Sequence, residues 1–314
     1  MADAAPLEVR GLTKVYGDIV AVDQVDLTVA EGNVYGYLGP NGAGKTTSLR
    51  MMLGLIRPTA GHVQLFGRDP QLGVGALEGV AGFVEEPRFY PYLSGRRNLE
   101  LLAAFDGGDA AGRVDEVLSI VELSDRGGDR VRAYSHGMRQ RLGIAGALLR
   151  GPRLLLLDEP TTGLDPAGMR DMRTLVRRLA SGGMTVVLSS HLLGEVEELC
   201  DRVAIIRAGR VVYEGTIAEL KRTATGAYRL RTTDDARALD VCRAQPGIVD
   251  PRRTAGAILF NAGEAAVAEL STALVEAGAA LVELTPQAAS LETLFFRLTE
   301  DHDGAAAPEP VEVA

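Results

Sequence analysis

Gly39-Pro40-Asn41-Gly42-Ala43-Gly44-Lys45-Thr46-Thr47 is the stretch on which the reading of this chain turns. It matches G-x-x-x-x-G-K-[ST] without a mismatch, between an apolar run, Val34 to Leu38, and a helix-like run, Thr47 to Leu55. Strand, loop and helix in that order make a phosphate cradle. The glycines let the backbone turn tightly and point successive N–H groups inward, and the positive end of the following helix adds to them. Lys45 brings a point charge for β- and γ-phosphates, and Thr46 a hydroxyl for a magnesium ion that keeps most of its waters. A glycine-rich turn with no ligand is the plainer account; the flanking strand and helix patterns weigh against it.

Working outward, the 314 residues suffice for one large domain and a small one. Apolar residues make up 46% and charged residues 24%, as in ordinary globular chains, and no uninterrupted apolar run approaches the roughly 18 residues of a membrane helix. Met1 to Arg10 has no charged start followed by an apolar core, so no secretion signal is expected there. Cys200 and Cys242 are the two cysteines; they suit a reducing cytosol and read as packing thiols. A net charge of −9 argues against a general nucleic-acid binder and does not favour an acidic membrane surface.

Before the loop, Leu7 to Arg10 and Val25 to Val29 read as short antiparallel strands with Tyr16-Gly17-Asp18 as a turn. Tyr16 can stack on an adenine or simply pack. After it, His62 to Phe66 and Val80 to Val84 read as strands, and Glu85-Glu86-Pro87-Arg88-Phe89-Tyr90-Pro91 as an exposed loop suited to contacts. Apolar spacing from Arg96 to about Ile120 predicts helix broken at Asp106-Gly107-Gly108, and Ser135 is placed to cap a helix running to Leu149. Leu154-Leu155-Leu156-Leu157-Asp158-Glu159 reads as a buried parallel strand ending in two carboxylates, the end at which open α/β sheets bind ligands. Pro166 to Leu179 reads as helix, Thr185 to Leu188 as strand followed by Ser189-Ser190-His191, and Val203 to Ile206 with Val211 to Tyr213 as a hairpin. From 224 to 300 the order of short strands and helices is compatible with a split βαβ sandwich, with a last helix at Ser290 to Thr299. Asp301 to Ala314, acidic and without lysine or arginine, is expected to be a disordered tail whose deletion changes the melting temperature little.

The phosphate loop, the Asp158-Glu159 strand, the Asp165 loop and His191 occur in an order that resembles the ATP-binding cassette (ABC) ATPases, over residues 7 to 220. Tyr134-Ser135-His136-Gly137-Met138, the Glu85 to Tyr90 loop and the ending Ser290-Leu291-Glu292-Thr293-Leu294-Phe295 look like the daunorubicin- and bacitracin-resistance type of exporter. The resemblance implies an α/β fold with a P-loop core, in which a RecA-like parallel sheet is joined by an antiparallel β layer and a helical subdomain at about 86–150. It places this ATP-binding domain at 1–222, a small α+β accessory domain at 223–300 and the tail at 301–314. ATP and Mg2+ are the implied cofactors. The implied nucleotide contacts are Tyr16, the loop Gly39, Pro40, Asn41, Gly42, Ala43, Gly44, Lys45, Thr46 and Thr47, together with Glu85, Ser135, Gly137 and Asp165. Thr46, Asp158 and Glu85 would attend the magnesium, Glu159 would act as general base and His191 would contact the γ-phosphate; two adjacent acids that merely cap a helix, or a polar turn histidine, are the plainer accounts. Ser135 and Gly137 would meet a nucleotide held by a second copy, although His136 and Met138 depart from the commonest Leu-Ser-Gly-Gly-Gln form, and Glu85 stands where most cassettes have glutamine.

The function so implied is the ATPase subunit of a drug or antibiotic exporter. Two copies would work with a separate permease of about six spans, also in two copies, at the cytoplasmic face of the membrane and without nucleic acid. A soluble cassette acting on ribosomes or DNA is the alternative; a single cassette without sustained heptads counts against it. A GTPase would need Asn-Lys-x-Asp, and none of Asn33, Asn41, Asn98 or Asn261 is followed by lysine.

Overall fold

The computed structural model describes residues 4–106, 109–223, 226–254, 256–287 and Phe295. They fall into two compact units, the first reaching Thr216 and the second within Ile217–Arg297. In chain order the first unit carries β1 (Leu7–Tyr16), β2 (Ile19–Val29), β3 (Val34–Leu38), α1 (Lys45–Met52), β4 (Ala60–Leu65), β5 (Val80–Phe83), α2 (Gly95–Asp106), α3 (Val114–Ile120) and α4 (His136–Leu148). It continues with β6 (Leu154–Leu157), α5 (Pro166–Ser181), β7 (Thr185–Ser190), α6 (Leu193–Leu199), β8 (Arg202–Arg207) and β9 (Arg210–Thr216). The second unit has α7 (Ile217–Thr223), β10 (Ala227–Thr232), α8 (Asp235–Ala244), β11 (Ile248–Thr254), β12 (Ala257–Ala262), α9 (Glu264–Glu276) and β13 (Leu281–Gln287).

The main sheet runs β5-β6-β7-β3-β8-β9, parallel from β5 to β8 with β9 antiparallel at the edge. Sequence explains the arrangement. Every residue of β3 and β6 is buried, as continuous apolar runs require when a parallel strand is covered on both faces. α5 begins at Pro166, which has no N–H to leave unpaired, and the Asp165 carboxylate caps it by accepting from Gly168 N. Its buried residues Met172, Leu175, Val176 and Leu179 recur at three and four, so one stripe faces the core while Arg170, Arg177 and Arg178 stay outside.

A second layer, β2-β1-β4, is antiparallel. Its strands are longer than the sequence suggests: β1 continues through Leu12 to Tyr16 across register shifts that follow Val9, and β2 already starts at Ile19. The inward residues of this layer join Tyr35, Tyr37, Leu49, Met51, Leu154 and Leu156 in one buried cluster. α2, α3 and α4 pack on one another, and the buried Asn98 side chain ties the loop before α2 by bonding Tyr90 N, Tyr90 O and Ser94 O. The proposed helix break at 107–108 lies outside the described residues, as do the tail and the helix at 290–299 apart from Phe295.

The second unit orders its strands β11-β12-β10-β13, all neighbours antiparallel. A β-α-β-β-α-β chain reaches this order when each helix carries the chain over one intervening strand. Its own core holds Leu230, Ile258, Phe260, Leu270 and Leu274, with Tyr228 stacked on Phe260. Cys242 lies in that core, and burial pushes its thiol up to about 11; Cys200, after α6, is raised further by burial and by the carboxylates of Asp201 and Glu195.

Candidate active site

Three strand ends meet at the site. β3 feeds the glycine loop, β6 delivers Asp158 and Glu159, and β7 delivers Ser189, Ser190 and His191. The parallel register Leu157↔Leu188 sets Asp158 beside Ser189 on the adjoining strand. Two loop glycines are forced. A Cβ at Gly39 would come 2.5 Å from Ile206 O, and Gly44, at φ 104, would put one 2.3 Å from Ala21 O. The resulting cleft of about 300 Å³ is lined by Asn41, Gly42, Gly44, Lys45, Thr46 and Thr47 of the loop, with Ala21 and Glu159.

Inside it the charges are fully partnered. The ammonium of Lys45, only 5% exposed, donates to Gly39 O at 2.8 Å and Pro40 O at 3.1 Å and lies 3.2 Å from Glu159 Oε1. Those three contacts use its three protons, the condition under which a buried cation is tolerable. Asp158, also buried, accepts from Thr46 Oγ1 at 2.9 Å and from Ser189 Oγ at 2.6 Å. Glu159 accepts at Oε2 from Thr162 Oγ1 at 2.8 Å and faces His191 Nδ1 at 3.0 Å. A carboxylate oxygen can only accept, so the Nδ1 of His191 carries a proton. Burial raises the Glu159 carboxyl, but the Thr162 bond, Lys45 and His191 outweigh it and hold the group below its usual 4.5. The backbone of Glu159 sits at φ 46, a left-handed conformation costly for a side chain with a Cβ and of the kind that clusters at working sites.

A family model described as ABC transporter matches residues 22–162. The bacitracin transport ATP-binding protein BcrA of Bacillus licheniformis is 38% identical over 295 residues, 93% of this chain and 96% of that protein. This chain belongs to the ABC transporter ATP-binding proteins. Within that family, the daunorubicin resistance ATP-binding protein DrrA3 of Streptomyces coeruleorubidus is 41% identical over 317 residues, 96% of this chain and 98% of that protein. Among solved structures, a dimeric ATP-binding cassette in a post-hydrolysis state with ADP and Pi aligns with a TM-score of 0.60 at 27% identity, over 67% of this chain and 98% of that one. The ABC cassette in this chain is thus an ATP-binding P-loop ATPase domain.

Not every residue that the sequence singles out gathers at this cleft. Pro40 and Gly39 contribute carbonyls to Lys45, and Ala43 is buried behind the loop. Tyr16 closes β1 half exposed, beneath Lys14 Nζ at 5.0 Å from its ring, and does not line the cleft. Ser135 caps α4 by accepting from Met138 N at 3.2 Å, and Gly137 faces Leu164; neither lines the cleft. Asp165 spends one oxygen on the cap of α5. The Glu85 carboxylate, 63% exposed, pairs with Arg50 on α1, and Glu85 is not among the residues that line the cleft.

Two residues of the cassette make contacts to which the sequence reading gives no role. Ser189 Oγ donates to Asp158 and accepts from Glu159 N at 2.9 Å, so one hydroxyl locks both acids. Thr162 does the same for the Glu159 side chain. A hydroxyl directly after the apolar run Val186-Val187-Leu188 was the available signal.

Proposed function

We propose that this chain is the ATP-hydrolysing subunit of an exporter of a drug, antibiotic or similar compound, acting as a pair on a separate transmembrane permease from the cytoplasmic side. The observation that carries the catalytic part is the ionised Glu159 carboxylate, held between Lys45, Thr162 and His191 at the edge of the loop-lined cleft. In this reading an incoming triphosphate competes for Lys45 and frees one oxygen of Glu159. That oxygen accepts the proton of the attacking water, while Thr162 and His191 keep the other from swinging. The loop glycines and Thr47 bind and orient the phosphates.

The donor set fits a magnesium ion: a hydroxyl and a carboxylate, Thr46 and Asp158, are already within 2.9 Å of each other beside the cleft. When bound, the ion would neutralise charge on the phosphates. Glu85 is left out of this set, its carboxylate being engaged by Arg50. The two relatives named for bacitracin transport and daunorubicin resistance, each matched over nearly its whole length, favour transport over a ribosomal or DNA role. No helix among the described residues is long and apolar enough to cross a membrane. The second unit is read as an accessory domain of the same subunit.

The test pairs two variants of the full chain. Lys45→Ala should lose ATP binding by calorimetry, and Glu159→Gln should bind ATP as tightly as the wild type while phosphate release falls by roughly two orders of magnitude or more. A Glu159→Gln chain that hydrolyses at the wild-type rate overturns the assignment. Co-purification with a multi-span protein from membranes checks the transport half.

A further inference from the structure

His136, the first residue of α4, stands where the Tyr134-Ser135-His136-Gly137-Met138 stretch meets the loop that follows Glu159. Its Nε2 is 2.9 Å from the backbone O of Thr162; a carbonyl accepts only, so Nε2 carries the proton and donates. Its Nδ1 faces Glu86 Oε1 at 3.4 Å, and the same oxygen is 3.5 Å from Arg139 Nε one turn along α4. Thr162 passes the contact on. Its N donates to Glu159 O at 3.1 Å and its hydroxyl to Glu159 Oε2 at 2.8 Å. An unbroken run of polar contacts therefore joins Glu86, after β5, through His136 and Thr162 to the carboxylate at the cleft.

Resting on the ATPase reading above, we propose that His136 is a positioning residue for hydrolysis: its Nε2–H fixes the 160–164 loop, and with it the Thr162 hydroxyl that aims Glu159. Glycine at this position would offer no donor, so the coupling depends on this side chain. Loss of the contact leaves an exposed carbonyl free to bond water, which keeps the stability cost small. Loss of aim is felt in the chemical step, where reacting groups tolerate little misplacement. Nucleotide affinity should be untouched, because no residue of the cleft lining contacts His136 except through Glu159.

The experiment uses the purified full chain with Mg-ATP and the variants His136→Ala, His136→Gln and Thr162→Val. His136→Ala should lower kcat roughly five- to tenfold, the scale of one lost hydrogen bond, with the calorimetric Kd for ATP unchanged. His136→Gln, whose amide nitrogen can reach the same carbonyl, should recover to within about twofold. The His136→Ala/Thr162→Val double variant should be no slower than the slower single one, since both act on one path. Amide hydrogen exchange over residues 159–165 should rise in His136→Ala and return in His136→Gln. A His136→Ala kcat equal to wild type, a glutamine variant as slow as alanine, or multiplied losses in the double variant would each overturn the proposal. Exchange separates it from the ATPase reading: a wild-type chain that turns over no ATP yet shows the exchange changes refutes that reading alone. Active wild type with no exchange change refutes His136 alone.

Discussion

Glu159 is the residue on which charge, strain and chemistry converge. Its folded carboxyl is held below the usual 4.5, so ionisation is favoured in the native state and contributes stability above the unfolded value. As pH falls through the folded value the group protonates, its attraction to Lys45 and His191 goes, and that stability is lost. Thermal melts of wild type and Glu159→Gln should therefore differ at pH 7 and draw together as the pH falls below the usual carboxylate value of 4.5 and through the lower folded one. A gap that widens on acidification would refute the sign. At this scale the sequence is legible where a side chain acts next to its own motif, as Lys45, Thr46, Asp158 and Glu159 do. It is not legible where the partner comes from elsewhere in the chain. Ser189 serves acids at the end of a neighbouring strand, and Arg50, on α1, pairs with Glu85, a partner that the resemblance does not announce.

Among the elements, β6 matters most, because four leucines at 0% exposure hold the two acids in line. Leu156→Ala should cost about 2–5 kcal/mol in urea unfolding, from lost burial and the cavity left behind. An ATP affinity that falls with it would mean the strand also positions the loop. The buried strands and the amphipathic α5 were readable from their apolar patterns. β1 was truncated in that reading because register shifts past Val9 break its alternation, with Gly11 at φ 55 in the same stretch. α6 was missed for another reason: it spans Leu193–Leu199 and its capping position is Leu192, which offers no polar side chain to announce a start.

For the whole molecule, each unit holds a buried cluster of its own among the described residues, which implies two sources of stability. Calorimetry of the intact chain should resolve two transitions, and Leu230→Ala should lower one of them while leaving ATP affinity unchanged; a single transition lowered as a block would contradict this. The alternation of helix and strand past residue 226 made the second fold legible, whereas α7 went unread, being one short stretch that opens the new unit directly after a hairpin. The two sequestered thiols have a practical corollary. The chain holds two cysteines, both buried and both resistant to ionisation, so both should react slowly with a maleimide at neutral pH. A thiol-reactive dye should label the native protein slowly and count two sulfhydryls once it is unfolded. A cysteine introduced at Leu72 or at Val249, both well exposed, would then be the single fast-reacting handle, one on each unit. The wild-type background is thus ready for fluorescence ranging of the cassette through its cycle without first removing any native residue.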